Sequence, residues 1–218
     1  MKRTAIQFLR QWVSLVLSAT LCLAVATAQA QPVSSIENPV KFMETVSNNL
    51  LAQLKTHKAE LSNREIMSEI IRQYVIPYFD DKTMARSVVG RIYWQEATPE
   101  EQKEFITAFS DMIINHYGTA VADYDDDVLE FYPIRGYQDQ KVVSVRSKLV
   151  RKTGQEFSVV YKLRRVDNTW RVYDFNIESI SLVYSHRSQF SGVLRQGGLK
   201  ALIARVKAHN VKLASNGN

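Results

Sequence analysis

From residue 39 onward the chain uses two spacings of apolar residues, and the change from one to the other divides it. Met43, Val46, Leu50 and Leu54 recur at three- and four-residue intervals, which places them on one stripe of a helix. Asn38-Pro39 supplies the start, with proline at the first helical position, and the stripe runs out near His57. A second helix is expected from Ser62, with Glu65 completing a capping box, through Ile66, Ile70, Ile71 and Tyr74 to Pro77. Residues 81–90 predict a third, short helix with Met84 and Val88 inward. The longest helix begins at Thr98-Pro99, where Glu100 and Glu101 meet the positive end of the helix dipole. Its stripe is Phe105, Phe109, Met112, Ile113, Tyr117, Ala120 and Tyr124.

Beyond the acidic run at 123–127 the period drops to two. Segments 128–134, 141–151, 156–166 and 169–177 read as strands, separated by Gly136, Thr153-Gly154 and Asp167-Asn168. Val143, Val145 and Leu149 share a face opposite Ser144, Arg146 and Lys148. Phe157, Val159, Tyr161 and Leu163 likewise oppose Ser158, Lys162 and Arg164. This is an antiparallel meander with one wet face. The last segment, TWRVYDFNI, breaks the rule, because Trp170 and Val172 lie in one row while Tyr173, Phe175 and Ile177 lie in the other. Parity leaves open which row faces inward, and a bulge would mix them. Helical pieces at 180–195 and 199–209 follow, divided by Gly197-Gly198. Helices first and a meander second predict an α+β domain with a large apolar sheet face to be covered.

The first thirty residues carry a different signal. Lys2, Arg3 and Arg10 precede an apolar run that closes on Ala28-Gln29-Ala30, the pattern of a secretory signal peptide cleaved after Ala30. The run is short for a membrane span, and Cys22 sits inside it behind Leu21, a residue too large for a lipoprotein site. The remainder, 31–218, is expected to be one domain: a mainly helical part at 31–124, strands at 125–179 and C-terminal helices at 180–209. Cleavage removes three bases and no acid from 28 Lys+Arg and 22 Asp+Glu, so the mature balance falls from +6 to +3. That is ordinary surface charge and gives no reason to expect nucleic acid. Without a cysteine the mature chain forms no disulfide and must rely on a core, which at this size can bury roughly 70% of the unfolded surface.

Motifs for chemistry are scarce. His57, His116, His186 and His209 have no metal-binding spacing, and there is no nucleophile elbow or phosphate loop. Asp123, Asp125 and Asp127 are spaced like a calcium loop, but Val128 and Ile134 stand where that loop needs glycine and glutamate. Asp174 with Tyr161 or Tyr173 could enolise a ketone inside a cavity. Asp174 flanked by Arg171 and Arg164 also suits a structural ion pair.

Two stretches resemble a known family: YFDDKTMARSVVGRIYWQEATPEEQKEFITAFSDMIINHYGTAVADY at 78–124 and WRVYDFNIESISLVYSHRSQFSGVLRQGGLKALIARV at 170–206. Gly90 before Tyr93, Ala97-Thr98-Pro99, Phe109, Tyr117-Gly118, Trp170 with Tyr173-Asp174, Ser181 and Gly198 stand in the order of the MlaC-like periplasmic phospholipid-binding proteins, the toluene-tolerance auxiliary family. Ser179 departs from the glycine expected there. The resemblance implies an antiparallel or mixed curved sheet of about four strands, nuclear-transport-factor-two-like, covered by N- and C-terminal helices with an apolar lipid cavity between. It implies a non-enzymatic, cofactor-free, monomeric shuttle that carries phospholipid between an outer-membrane lipoprotein complex and an inner-membrane ABC transporter complex with its periplasmic lipid-binding subunit. That traffic would maintain outer-membrane lipid asymmetry. The alternatives are a cavity isomerase using Asp174 and a tyrosine, and a non-catalytic envelope adaptor. The expected lining is Tyr74, Met84, Val88, Phe105, Phe109 and Ile113 from the helices. From the sheet it is Val143, Val145, Leu149, Phe157, Val159, Tyr161, Trp170 and Val172. A phospholipid would call for a volume at or beyond the upper end of the usual range of about 300–1,000 Å³. No headgroup ligand is evident, and Arg146, Lys148, Lys162 and Arg164 read either as a docking face or as the solvated side of the sheet.

Overall fold

This computed structural model describes residues 37–215, residue 124 excepted. The expected signal peptide and its cleavage point lie outside those residues, as do the side chains of Ala120 and Tyr124. Five helices come first: α1 (Pro39–Thr56), α2 (Arg64–Tyr74), α3 (Asp81–Val89), α4 (Arg91–Glu96) and α5 (Pro99–Ala122). Strands β1 (Val128–Phe131), β2 (Val142–Val150), β3 (Glu156–Val166), β4 (Thr169–Ile177) and β5 (Ile180–Ser181) follow, and α6 (Leu182–Ser215) ends the chain. The fold is α+β, and its five-stranded sheet pairs antiparallel in the order β1-β2-β3-β4-β5. The strand absent from the sequence expectation, β5, is two residues long and too short to show a period.

Local chemistry explains the boundaries. Asn38 Oδ1 accepts the Val40 N–H at 2.9 Å and starts α1. For α2 the cap is Asn63 rather than Ser62: its Oδ1 takes the N–H groups of Glu65 and Ile66 at 2.9 and 3.4 Å. Thr98 and Glu101 close a reciprocal capping box on α5, with bonds of 3.0 and 3.2 Å. Helix α6 is interrupted at Gly198, whose φ of 65° and ψ of −161° lie where side-chain-bearing residues are rarely found. Asp167 and Asn168 have φ of 45° and 61°, and Glu178 and Ser179 have 48° and 69°. Both pairs form two-residue reversals of the kind that match strand twist, so serine in place of the expected glycine leaves the second turn intact.

The decisive irregularity is in β4. Val172 pairs with Leu163 and Asp174 with Lys162, so Tyr173 is an extra residue opposite nothing. This bulge joins the two parity rows. The inner face of β4 is therefore Trp170 and Val172 before it, Phe175 and Ile177 after it, opposite Arg165, Leu163, Tyr161 and Val159 of β3. Asp174 is turned to the outer face. There its carboxylate accepts from Lys162 Nζ at 2.9 Å, the Ser181 hydroxyl at 2.7 Å and the Val183 N–H at 3.1 Å, which caps α6. Its ionic partner is thus Lys162, not the two arginines suggested by the sequence. The basic residues of that wet face are each engaged: Lys148 with Glu130 and Glu156, Arg164 with Asp80, and Arg146 over the Tyr132 ring.

The bulge also locates α3. Val172 O accepts the Asp80 N–H at 2.8 Å, beside a parallel bridge from Phe79 to Val172. Asp80 then caps α3 through the Thr83 N–H at 2.9 Å and binds Arg164 Nη1 at 2.5 Å. Partial burial pushes the Asp80 carboxyl upward, but bonds from Thr83 and Arg164 outweigh it and hold it below the usual carboxylate range. Asp80→Ala is expected to lower the unfolding free energy by about 2 kcal/mol, read from urea denaturation. The loss should be full above the ordinary carboxylate pKa and vanish as pH falls through the depressed one.

Candidate functional site

The inner sheet face has two fates along the strands. At one end Val143, Val145, Leu163, Trp170 and Val172 pack against Val40, Phe42, Met43 and Val46 of α1 and form closed core. Trp170 is 1% exposed, and its Nε1 donates to Glu37 O at 2.8 Å, which pins the entrance of α1. At the other end the sheet and helices stand apart around a cavity of about 510 Å³. Leu129, Leu149, Phe157, Val159, Tyr161, Phe175 and Ile177 form its sheet wall. Leu50, Leu51 and Leu54 of α1, Ile71 of α2, Met84 of α3, and Phe109, Ile113, Ile114, Tyr117 and Val121 of α5 face them. Val75, Ile76 and Phe79 complete the side.

Of the residues expected to line a cavity, the structure brings together Met84, Phe109, Ile113, Leu149, Phe157, Val159 and Tyr161. Val88 and Phe105 lie instead in the cluster beneath α6, where Phe190 meets Phe105 and Phe109 edge-on at 6.5 and 6.2 Å. Val143, Val145, Trp170 and Val172 belong to the closed core against α1, and Tyr74 packs beside Leu54 and Ile70. The volume falls mid-range rather than at the upper end because the N-terminal half of α1 fills half of the sheet face. Phe175 and Ile177 were hidden from the sequence by the bulge. Val75, Ile76 and Phe79 flank Pro77 and have no period to betray them.

The wall is apolar apart from a few groups. Burial pushes the Tyr117 hydroxyl upward, and pushes Tyr161 up to about 12 against a smaller opposing bond with Ser147. Both phenols therefore stay protonated at neutral pH. Asp174 lies on the opposite face from Tyr161, so the structure does not assemble that carboxyl–phenol pair, and neither Asp174 nor Tyr173 is among the residues lining the cavity. The charged wall residues are Asp81, Asp127 and Arg151. Arg151 Nη1 donates to Asp127 Oδ2 at 3.0 Å and to Asp123 O at 2.9 Å. A smaller recess of about 220 Å³ lies between α2 and α5, but Ser62, Arg64, Ser68, Asn115 and Asp123 make much of its wall polar. Among the described residues no three His, Cys, Asp or Glu side chains group to hold a metal, and no helix is long and apolar enough to cross a membrane.

Behind Phe109 sits His186, 7% exposed, its ring 5.5 Å from that of Phe109 and 5.6 Å from that of Phe190. Neither ring nitrogen has a hydrogen-bond partner among the described residues. Burial, and secondarily the nearby His116, depress its pKa from 6.5 to about 4.

An α+β shell around an apolar, ligand-sized cavity defines a hydrophobic-ligand-binding class of protein. The chain belongs to the MlaC family, whose model, described as MlaC protein, matches residues 44–208. It is 24% identical over 194 residues to the toluene tolerance protein ttg2D of Pseudomonas putida, covering 88% of this chain and 86% of that one. It is 20% identical over 206 residues to the intermembrane phospholipid transport system binding protein MlaC of Haemophilus influenzae, covering 91% and 92%. Among solved structures, the phospholipid-binding protein of Ralstonia solanacearum, determined in complex with a phospholipid, superposes with a TM-score of 0.76 at 27% identity. That match covers 82% of this chain and 99% of the other.

His186→Phe is expected to flatten the acid side of the stability profile. The unfolded chain binds the histidine proton between pH 6.5 and about 4 and the folded one does not, so native stability drops across that window as pH falls. Thermal unfolding from pH 7 to 4 should show a smaller decline in the variant; an equal decline would place the sensitivity elsewhere.

Proposed function

We propose that this chain binds phospholipid and carries it through the periplasm, with the acyl chains in the 510 Å³ cavity. The observation that carries the reading is the continuous apolar wall of Phe109, Ile113, Leu149, Phe157, Val159 and Tyr161, in a family with a phospholipid-bearing solved relative. A phospholipid exposes roughly thirty methylenes, each worth about 0.8 kcal/mol on transfer from water. A naked passage through an aqueous compartment is therefore prohibitive, and a lined cavity removes that cost. The chains were already in hydrocarbon before extraction, so the net drive from membrane to carrier is a small difference of large terms. Direction must come from partners that deform the cavity or supply energy. An outer-membrane lipoprotein complex and an inner-membrane ABC transporter complex with its lipid-binding subunit fit that role, with the carrier acting as a monomer that sustains lipid asymmetry. The isomerase reading is disfavoured because Asp174 is committed to Lys162 and to the cap of α6.

The two ends of the sheet make opposite mutational predictions. Val159→Arg should fold and lose co-purifying phospholipid, because a charge placed against acyl chains costs more than one in an open, wettable space. Val145→Arg, 1% exposed beneath α1, should instead fail to fold. Native mass spectrometry and far-ultraviolet dichroism distinguish the two, and lipid retained by Val159→Arg at wild-type occupancy would sink the reading.

A further inference from the structure

The cavity ends where Leu149 pairs with Phe157 and Val159 with Ile177, at one end of the sheet. Ile177 is exposed there. Arg151 stands at the same end, one residue beyond β2, and among the described wall residues it is the only cation. Its guanidinium spends a single nitrogen on the protein: Nη1 donates to Asp127 and to the Asp123 carbonyl, while Nε and Nη2 donate to no described residue. The anchor is firm. Asp127 is 8% exposed, and its second oxygen accepts the Lys152 N–H at 3.4 Å. The acids farther out have cations of their own. Asp125 is bonded by Lys58 at 2.8 Å and Lys152 at 3.2 Å, and Asp126 by Lys58 at 3.2 Å.

A phospholipid cannot draw its phosphate into the apolar wall, because an ionised group loses its water there and finds no partner. The phosphate must stop at a charged rim. We propose that Arg151 binds the phosphodiester of the carried lipid, Nε and Nη2 donating to its non-bridging oxygens, with Asp127 holding the fork in place. A guanidinium presents a planar edge that fits two phosphate oxygens, and an edge already fixed by a buried carboxylate loses little freedom on binding. The remainder of the headgroup points to water, so the site selects for the phosphate and not for the head alcohol. Fixing the phosphate also sets how deep the chains reach, which makes Arg151 a register point for the lipid. This inference rests on the phospholipid reading above.

The test compares two lipids that share their chains. Lipid-stripped protein is loaded from dodecyl maltoside micelles carrying either dioleoyl phosphatidylglycerol or dioleoylglycerol, and occupancy is read by native mass spectrometry. Arg151→Gln should weaken phosphatidylglycerol retention about tenfold, the scale of charge-assisted bonds lost, and leave dioleoylglycerol unchanged. Because that variant strands the Asp127 carboxylate, the pair Arg151→Gln/Asp127→Asn is measured as well, and it should show the same selective loss. An unchanged ratio of the two lipids in the paired variant, whether both are kept or both lost, would overturn the assignment. So would stabilisation of the lipid-free wild type, but not of Arg151→Gln, by inorganic phosphate alone, which would make this a free-anion site. Wild-type protein that takes up neither lipid overturns the carrier reading itself, visibly so because the reference arm fails before any variant is compared.

Discussion

The bulge at Tyr173 is the constraint on which the rest of the structure depends. In an unbroken strand the row of Trp170 and Val172 would continue inward as Asp174 and Asn176, and the cavity would face a carboxylate and an amide. One extra residue exchanges them for Phe175 and Ile177 and sends Asp174 outward, where it caps α6 and pairs with Lys162. The same distortion leaves the Val172 carbonyl to Asp80, and through Asp80 the start of α3 is fixed, which brings Met84 to the cavity. A single local irregularity thus sets the polarity of the wall, the anchorage of the last helix and the placement of one opposite it.

What remains is a sheet face used in two ways. Its α1 end is buried as closed core, and its far end is held open by α2, α3 and α5. At about 24 cal/mol per Å³ of void, sealing 510 Å³ dry would cost on the order of 10 kcal/mol. That approaches the whole stability of a typical domain, about 5–15 kcal/mol. The space is therefore either open to water or occupied, and an apolar wall makes occupation by hydrocarbon the favourable state. On this account the carried chains are part of the core, which ties the stability of the protein to its cargo.

Much of this was legible in the residues. Three-and-four spacing located the long helices, with Thr98-Pro99 marking the start of α5 and the glycine pair marking the break in α6, and period-two alternation gave β2, β3 and β4 with the correct inner rows on β2 and β3. The expected lining failed where adjacency in space, not pattern, decides. Val143 and Val145 carry the same alternation as Leu149, yet only the position of α1 separates core from cavity wall. Trp170 and Val172 were ambiguous by parity, and nothing in TWRVYDFNI marks the bulge. Arg151 read as the end of a strand and Asp127 as the end of an acidic run, because no local spacing connects the two segments that their pairing joins.

Hydrocarbon completes one half of the sheet face and not the other. Nuclear Overhauser contacts between the acyl chains of a bound phospholipid and labelled methyl groups test it directly. Contacts are expected to Ile113, Leu149 and Val159 and none to Val143 or Val145. Contacts spread evenly over both sets, or absent from the first, would contradict it.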